Sequence, residues 1–171
     1  MRRLFVLLAC CLALNLRAEP VSEYDMKAIY LYNFASYTEW PFWGRANFNF
    51  CVLGDDELGN ALSRLESKKI NGMRVVVARL TSLVAIRQCQ VLYLPGKQHA
   101  NLRRIQSELG ELPVLTVGEA GSEAEVGVVL RLEGARLEGA RLVFDLNLAA
   151  FQRAGLKPQE TLVRLARNVR K

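Results

Sequence analysis

The sequence predicts a single α/β domain with a mostly parallel sheet, helices on both of its faces, and a C-terminal β-hairpin plus helices. Two observations support this fold class. Short apolar runs alternate with helical patterns along most of the chain, and that order gives a parallel sheet. Hydrophobic residues make up 51% and charged residues 23% of the 171 positions, which is a globular composition.

The first eighteen residues have the layout of a cleaved secretory signal peptide. A short basic start precedes the mostly apolar segment Leu4–Leu16, and the small residue Ala18 is suited to cleavage. A lipid-attachment site at Cys10 is the alternative, although only six apolar residues precede that cysteine. We expect a signal peptide over residues 1–18 and one mature domain over residues 19–171.

An almost wholly apolar helix opens the mature domain. Ser22 is a good helix N-cap, and Asp25 lies three residues later, close to a capping box. Only Lys27, Asn33 and Ser36 interrupt the apolar surface that follows. A helix that is apolar nearly all round is buried or contacts a partner.

The middle of the chain alternates predicted strands with predicted helices. The strands are short apolar runs bounded by turn residues, and they cover 48–53, 74–78, 90–94 and 114–117. The helices between them cover 57–66 and 97–109, with a short helical turn at 83–87. Further along, strands at 126–132 and 141–145 flank a segment that contains the tetrad Leu-Glu-Gly-Ala twice, and we interpret them as a hairpin.

Two helices are predicted at the C-terminus. The first covers 146–154 and is ended by Gly155, and Pro158 fits the first position of the second. The second helix has an apolar face and a basic face; they consist of Leu162, Leu165, Ala166 and Val169, and of Arg164, Arg167 and Arg170. The arginines face solvent, an acidic partner or lipid headgroups. Because most of the positive charge is confined to this tail and the signal, we expect no nucleic-acid partner.

Two cysteines, Cys51 and Cys89, remain once the signal is removed. No second cysteine or histidine lies near either, so we expect no metal site there. The single histidine, His99, also excludes a multi-histidine metal centre. In an oxidising compartment the two cysteines are expected to form a disulfide that closes a 38-residue loop. Two buried free thiols are the alternative.

The sequence carries no recognisable catalytic motif. It contains no phosphate loop, dinucleotide fingerprint or nucleophile elbow. Asp55-Asp56-Glu57 follows a strand, where doubly wound sheets bind ligands, although acids at a helix start are also ordinary dipole partners. We therefore predict no enzyme activity and no cofactor. An exported hydrolase built on His99 and Asp55 is the enzymatic alternative.

Aromatic residues are concentrated near the start of the mature domain. Ten of the fourteen lie between Tyr24 and Phe50. Trp40, Phe42 and Trp43 place three large rings within four positions, beside a proline. Some of the ten rings are core residues. We expect others in this segment to be exposed and to contact a protein partner.

The chain resembles the YfiR family of exported bacterial proteins. The similarity begins with the segment from Met26 to Pro41, which looks like the opening of that family. Further similar segments are 48–55 and 89–94, which contain two of the predicted strands, then 143–147, 154–156 and 162–166. Together they span essentially the whole mature chain.

This resemblance implies a regulatory protein of the periplasm. YfiR-like proteins inhibit an inner-membrane diguanylate cyclase by acting on its periplasmic domain, which keeps cyclic-di-GMP low. They form dimers, and an outer-membrane lipoprotein or reduction of the inhibitor releases the cyclase. The family's disulfide maps onto Cys51 and Cys89. The cysteines of a second bridge, present in some members, are absent here.

The expected function is therefore inhibition of a diguanylate cyclase by a periplasmic homodimer. The residues expected to contact the partner are Trp40, Phe42, Trp43, Arg164 and Arg167. A periplasmic small-molecule sensor, with a pocket near Gly54 to Asp56 or near the aromatic segment, is the alternative.

Overall fold

The computed structural model describes residues 21–41, 44, 46–55, 57–122, 124–134 and 141–171, without the side chains of residues 97 and 99. Within these ranges the α-helices are α1 (Glu23–Ser36), α2 (Gly59–Ser63), α3 (Leu102–Leu109), α4 (Leu148–Arg153) and α5 (Glu160–Leu165). Short 3₁₀ helices cover Arg64–Ser67, Leu83–Gln88 and Gly96–Asn101. No helix in the described ranges combines the length and the hydropathy needed to cross a bilayer.

The strands form one large sheet and one two-residue ladder. In chain order they are β1 (Thr38–Glu39), β2 (Asn47–Leu53), β3 (Lys69–Ile70), β4 (Met73–Leu80), β5 (Val91–Leu94), β6 (Leu115–Glu119), β7 (Val128–Glu133), β8 (Arg141–Asn147), β9 (Lys157–Pro158) and β10 (Asn168–Arg170). The eight-stranded sheet has the order β10-β8-β7-β6-β5-β2-β4-β3, and β1 pairs with β9.

Most neighbouring strands of the large sheet are parallel. The run β4-β2-β5-β6-β7 is parallel throughout. The hairpin β7–β8 and the short pair β3–β4 are antiparallel, whereas β10 returns parallel to β8. The predicted mixed α/β domain with a mostly parallel sheet and a C-terminal hairpin is confirmed. The repeated tetrad that we expected in the hairpin loop lies largely outside the described residues.

Alternate residues of the strands belong to two separate apolar clusters. In β2, Phe48 and Phe50 belong to the first cluster, and Cys51 and Leu53 belong to the second. This alternation follows from the pleat, which points successive side chains to opposite sides of a sheet. The first cluster also contains residues of α1, α2 and α4, namely Leu31, Leu62 and Phe151. The second contains Leu102 and Ile105 of α3.

The start of α1 confirms the predicted cap. The Ser22 hydroxyl accepts a hydrogen bond from the backbone N–H of Asp25 at 3.1 Å and donates one to the Asp25 carboxylate at 2.8 Å. One backbone donor of the first turn is thereby satisfied. Phe34 is buried in the first cluster, whereas Ile29 is about half exposed, so the helix is embedded along one side only.

The last predicted helix is wrong in both its start and its length. Pro158 lies in β9, paired with Thr38, and α5 begins only at Glu160. After Leu165 the backbone becomes extended, and Val169 lies in β10, paired with Leu146 of β8. The apolar spacing of residues 162, 165, 166 and 169 matches a helical face, but pairing with the sheet edge overrides it. Leu165 is exposed instead of buried with Leu162.

Other predicted boundaries differ by shorter distances. The helix expected over 57–66 is the α-helix Gly59–Ser63 continued by a 3₁₀ turn, and the helix expected over 97–109 begins as a 3₁₀ turn before α3. The strand expected over 74–78 extends over Met73–Leu80. Gly155 does end the helix before it, since its φ of 61° is readily adopted by glycine.

Candidate functional site

Cys51 and Cys89 form a disulfide inside the second apolar cluster. Cys51 lies in β2, and Cys89 lies between the 3₁₀ helix Leu83–Gln88 and β5. Their Cα atoms are 5.8 Å apart, and the two residues are 1% and 0% exposed. The bridge therefore joins the centre of the sheet to the segment that returns from β4 to β5.

The Trp40 side chain is partly buried and packs against the first apolar cluster. Its ring meets the ring of Phe48 edge-on at 5.0 Å between centroids. Its indole N–H donates to the carbonyl of Ala35 at 2.8 Å, so the polar edge is satisfied within the chain. The other two predicted contact rings, Phe42 and Trp43, lie outside the described residues.

The two predicted C-terminal arginines have different environments. Arg164 is exposed on α5. Arg167 lies just before β10 and forms ion pairs with Asp145 at 2.7 Å and with Glu133 at 2.6 Å. Two of its nitrogens reach the two oxygens of Asp145, at 2.9 and 2.7 Å, in a bidentate arrangement. Arg167 therefore anchors the chain end to the hairpin β7–β8.

The β1–β9 ladder joins residues 38–39 to residues 157–158. Thr38 pairs with Pro158, and the carbonyl of Tyr37 accepts a hydrogen bond from the N–H of Gln159 at 2.9 Å. Glu39 and Lys157 form an exposed ion pair at 3.2 Å. The aromatic segment that follows β1 therefore begins next to the segment that leads into α5. No sequence pattern indicated this pairing, because each strand has only two residues.

A partly buried charge cluster lies where α1 passes the carboxyl ends of β5 and β6. Lys27 is only 8% exposed. Its ammonium group contacts Glu119 at 2.7 Å and Glu23 at 3.0 Å. The same oxygen of Glu119 accepts a hydrogen bond from the Tyr93 hydroxyl at 2.7 Å. The sequence showed Lys27 only as an interruption of an apolar helix; its main partner is 92 residues away.

The cluster favours the ionised forms of Lys27 and Glu119. Burial opposes the charge on Glu119, but hydrogen bonds from Lys27 and Tyr93 outweigh it, and the pKa of Glu119 is lowered. Burial likewise opposes the charge on Lys27, but the two carboxylates outweigh it and raise its pKa. Burial, and then the charge of Glu119, raise the pKa of Tyr93. The phenol therefore stays neutral and acts as a donor.

A charged cleft of about 380 Å³ adjoins this cluster. Its walls carry charges of both signs, contributed by Glu23, Lys27, Glu119, Arg131, Glu133 and Arg167. On the hairpin side, Asp145 pairs with Arg131 at 2.8 Å. Burial opposes the charge of Asp145, but hydrogen bonds from Arg167 and Arg131 outweigh it, and the pKa of Asp145 is lowered. The cleft wall is thus a network of paired charges.

A second cleft, of about 450 Å³, lies over the carboxyl end of β2, beside Gly54. This is the region where the sequence predicted a ligand pocket. Asp55 lies next to it in sequence and is exposed, whereas the side chain of His99 lies outside the described residues. Within the described ranges, no group of three His, Cys, Asp or Glu side chains is arranged to hold a metal ion.

Comparisons with known proteins give a family match and a similar fold. The profile of a family described as YfiR/HmsC-like matches residues 24–167. A crystal structure of a conserved domain protein from Vibrio cholerae has a similar fold, with a TM-score of 0.55 and 14% sequence identity. That match covers 87% of this chain and 60% of the Vibrio chain, so this chain spans less than two thirds of that protein.

Proposed function

The chain belongs to the YfiR/HmsC-like family, and from this premise we propose that it inhibits an inner-membrane diguanylate cyclase from the periplasm. Membership indicates a regulatory role in diguanylate cyclase signalling rather than a catalytic one. In our proposal the protein binds the periplasmic domain of the cyclase and lowers cyclic-di-GMP synthesis. The observation that carries it is the family match over residues 24–167.

Inhibition across a membrane requires a difference in affinity between two states of the cyclase. A periplasmic protein cannot touch a cytoplasmic active site, so it acts by binding the inactive state of the outer domain more tightly than the active one. Moving that equilibrium from 1:99 to 99:1 takes a differential affinity of about 10⁴, or about 5.5 kcal/mol. A contact surface with a few strong anchors can supply such a difference.

The proposed contact surface combines the aromatic segment with α5. Phe42, Trp43 and Arg164 are its anchors in this proposal. Trp40 and Arg167 hold the neighbouring backbone in place, because the first packs on Phe48 and the second is paired with acids. The β1–β9 ladder supports the proposal, since it joins the two segments that carry these residues.

Release of the cyclase follows from competition for the inhibitor. We propose that an outer-membrane lipoprotein binds the same protein and removes it from the cyclase, and that the inhibitor acts as a homodimer. Competition of this kind needs no conformational change in the inhibitor.

The test is capture of a membrane partner by the oxidised protein. The bait is the chain from residue 19 onward, immobilised and exposed to detergent-solubilised inner membranes with and without reductant. We expect a diguanylate cyclase among the captured proteins, and lower cyclic-di-GMP in cells that export the inhibitor. Capture lost on reduction makes the disulfide a control point, whereas capture that survives makes it a structural bond. Failure to capture any cyclase in either state contradicts the proposal.

The contact surface has its own matched control. Arg164→Ala is expected to weaken capture, whereas Arg103→Ala removes an exposed arginine from α3 and is expected to leave capture unchanged. Equal effects of the two substitutions would show a general charge effect and contradict the role of α5.

A small-molecule sensor is the second candidate function, and the cleft beside Gly54 favours it. A ligand that binds only the folded protein raises the melting temperature in proportion to the logarithm of its concentration. Nucleotides and aromatic metabolites are the compounds to screen by thermal shift. The absence of any shift would contradict this function without affecting the first.

A further inference from the structure

The cleft beside Gly54 occupies the position where the strand order reverses. The next two long strands after β2 in the chain, β4 and β5, lie on opposite sides of it in the sheet. Open α/β sheets bind ligands outside the carboxyl ends of the strands at such a point, because the following loops diverge and leave a crevice. The volume of about 450 Å³ falls within the range of small-molecule sites.

The floor of the cleft depends on a glycine. Gly54 has a φ of 90°, and a Cβ at this position would lie 2.5 Å from Nε2 of Gln98. The amide of Gln98 therefore lies directly against the backbone of Gly54. Its oxygen accepts a hydrogen bond from Nδ2 of Asn101 at 3.1 Å, which leaves the NH₂ group as the donor beside Gly54.

The walls carry several hydrogen-bond donors and one charged side chain of each sign. Arg104 lines the cleft, is exposed, and forms no ion pair with any residue in the described ranges. Thr81 and Ser82 add hydroxyl groups. The acid on the wall, Glu108, already lies 3.5 Å from Arg87. Among the described residues that line the cleft, Arg104 is therefore the charged side chain without an ion-pair partner, which favours an anionic ligand.

Leu83 and Val84 form an apolar part of the lining, and Val84 is largely uncovered. Val84 is 86% exposed, more than any other large apolar residue in the described ranges, and Leu83 lines the cleft beside it. Both belong to the 3₁₀ helix that ends at Gln88, directly before the disulfide-bonded Cys89. The bridge to Cys51 fixes this wall relative to β2, which gives the cleft a preformed shape.

We propose that this cleft binds a small organic anion. Arg104 and the Gln98 amide hold a carboxylate or phosphate group, and the apolar body of the ligand covers Leu83 and Val84. This inference deepens the sensor function and does not depend on inhibition of the cyclase.

The test follows backbone amide resonances of the oxidised, ¹⁵N-labelled protein during titration with three probes. Benzoate and phenyl phosphate offer the two anionic groups on the same ring, and benzamide is the uncharged match. We expect saturable shifts at residues 54, 81–84 and 98–104 with an anionic probe and not with benzamide. The stronger of the two anions identifies the acid group that the site prefers.

A matched pair of variants tests whether Arg104 supplies the positive charge that binds the anion. Arg104→Gln is expected to weaken binding of the anionic probe by about tenfold or more, because a charge-assisted hydrogen bond is lost. Arg103→Gln removes the neighbouring exposed arginine, which lies outside this cleft, and should keep the affinity.

Three results overturn the proposal: no saturable shift at probe concentrations on the order of 10 mM, benzamide binding as tightly as benzoate, or equal weakening by both variants. Each of these results tests ligand binding in the cleft and is independent of cyclase inhibition. Binding of the anion that leaves capture of the cyclase unchanged would instead count against a sensory role.

Discussion

The ammonium group of Lys27 is held inside the fold by carboxylates from two different elements. Glu23 precedes it by one turn of α1, and Glu119 ends β6. A buried charge without a partner costs several kcal/mol, so the acids are needed to keep this lysine in place. The hydroxyl of Tyr93 donates to the same oxygen of Glu119 and thereby couples α1 to two strands of the sheet.

Glu119→Gln is expected to lower the free energy of unfolding by about 3 kcal/mol, because it leaves the Lys27 ammonium without its main counter-charge. Urea denaturation at neutral pH measures the change. Glu108→Gln is the control, since Glu108 forms a solvent-exposed pair and should cost less than about 1 kcal/mol. Equal losses in the two variants would show that the buried cluster contributes no more than a surface pair.

The charge cluster of Lys27, Glu23 and Glu119 predicts that the free energy of unfolding depends on pH. The pKa of Glu119 is lowered from 4.5 on folding, so the contribution of its charge is complete above that value and is lost as the pH falls through the lower pKa of the folded protein. The pKa of Lys27 is raised from 10.5, so its contribution is complete below that value and is lost as the pH rises through the higher pKa. We expect the stability difference between wild type and Glu119→Gln to be flat between these limits and to shrink below pH 4.5. A difference that grows in acid would contradict the assignment.

Trp40→Ala is expected to lower the free energy of unfolding by about 3 kcal/mol, because the ring packs on Phe48 and leaves a cavity when it is removed. Trp40→Phe should cost about 1 kcal/mol, mainly for the lost hydrogen bond to Ala35. Tyr24→Ala, at a half-exposed ring, is the control for an aromatic residue near solvent. Chemical denaturation of the three variants decides whether Trp40 is a core residue; a loss no larger than that of Tyr24→Ala shows that it is not.

Individual structural residues were easier to predict from the sequence than the residues they contact. The pair Cys51 and Cys89 was predictable from compartment and count alone. The association of Lys27 with Glu119 was not, because a lysine in an apolar helix shows no sign of a carboxylate 92 positions away. Arg167 was predicted as a partner contact, and its pairing with Asp145 and Glu133 inside the chain was not indicated by the sequence.

At the scale of elements, the short edge strand β10 is held to the sheet more by side-chain contacts than by its few backbone pairs. It has three residues, all exposed, and pairs on one side with β8. Arg167 reaches back to Asp145 and Glu133, and Asn168 donates to Asp145 at 3.1 Å. These contacts hold the end of the chain against the hairpin.

Arg167→Ala is therefore expected to loosen β10 without unfolding the domain. Amide hydrogen exchange at residues 168–170 should become faster, while exchange in β2 and β5 stays unchanged. Arg164→Ala is the matched control, because Arg164 lies on the exposed face of α5 and forms no ion pair with the residues that the structure describes. Unchanged exchange at 168–170 in the Arg167 variant would show that backbone pairing alone holds the strand.

Periodic elements were predictable, and elements of two or three residues were not. The strand around residue 92 is a continuous apolar run, and the strand around residue 50 is apolar from Phe48 to Leu53 except at Asn49; such runs are typical of a buried parallel sheet. The β1–β9 ladder and β10 have no such pattern, because two or three residues are too few to display a hydrophobic period. In residues 162–169 the helical spacing was present, but the pairing of Val169 with Leu146 determines the structure.

For the whole molecule, the disulfide is the main covalent constraint on the unfolded chain. Replacing Cys51 and Cys89 together by alanine is expected to lower the free energy of unfolding by about 4 kcal/mol, the value of the chain-entropy model for a 38-residue loop. Urea denaturation of the double variant and of the reduced wild type checks this value, and both should lose similar amounts. Equal stability of the oxidised and reduced wild type would contradict it.

Burial limits how quickly a reductant can act on this bond. Thiol–disulfide exchange requires a thiolate to reach a sulfur atom, and both cysteines are almost fully buried. A redox response of the proposed inhibitor therefore requires transient opening of the second apolar cluster.

The pairing of β1 with β9 also determines when the proposed contact surface can exist. Glu39 and Lys157 are 118 residues apart in sequence, so this ladder is one of the most non-local contacts in the chain. Closing so long a loop is entropically costly until the intervening sheet has formed. A ribosome that still holds Lys157 and Pro158 prevents the pairing. A growing chain therefore lacks the proposed contact surface until residues 157–158 are free to pair with residues 38–39.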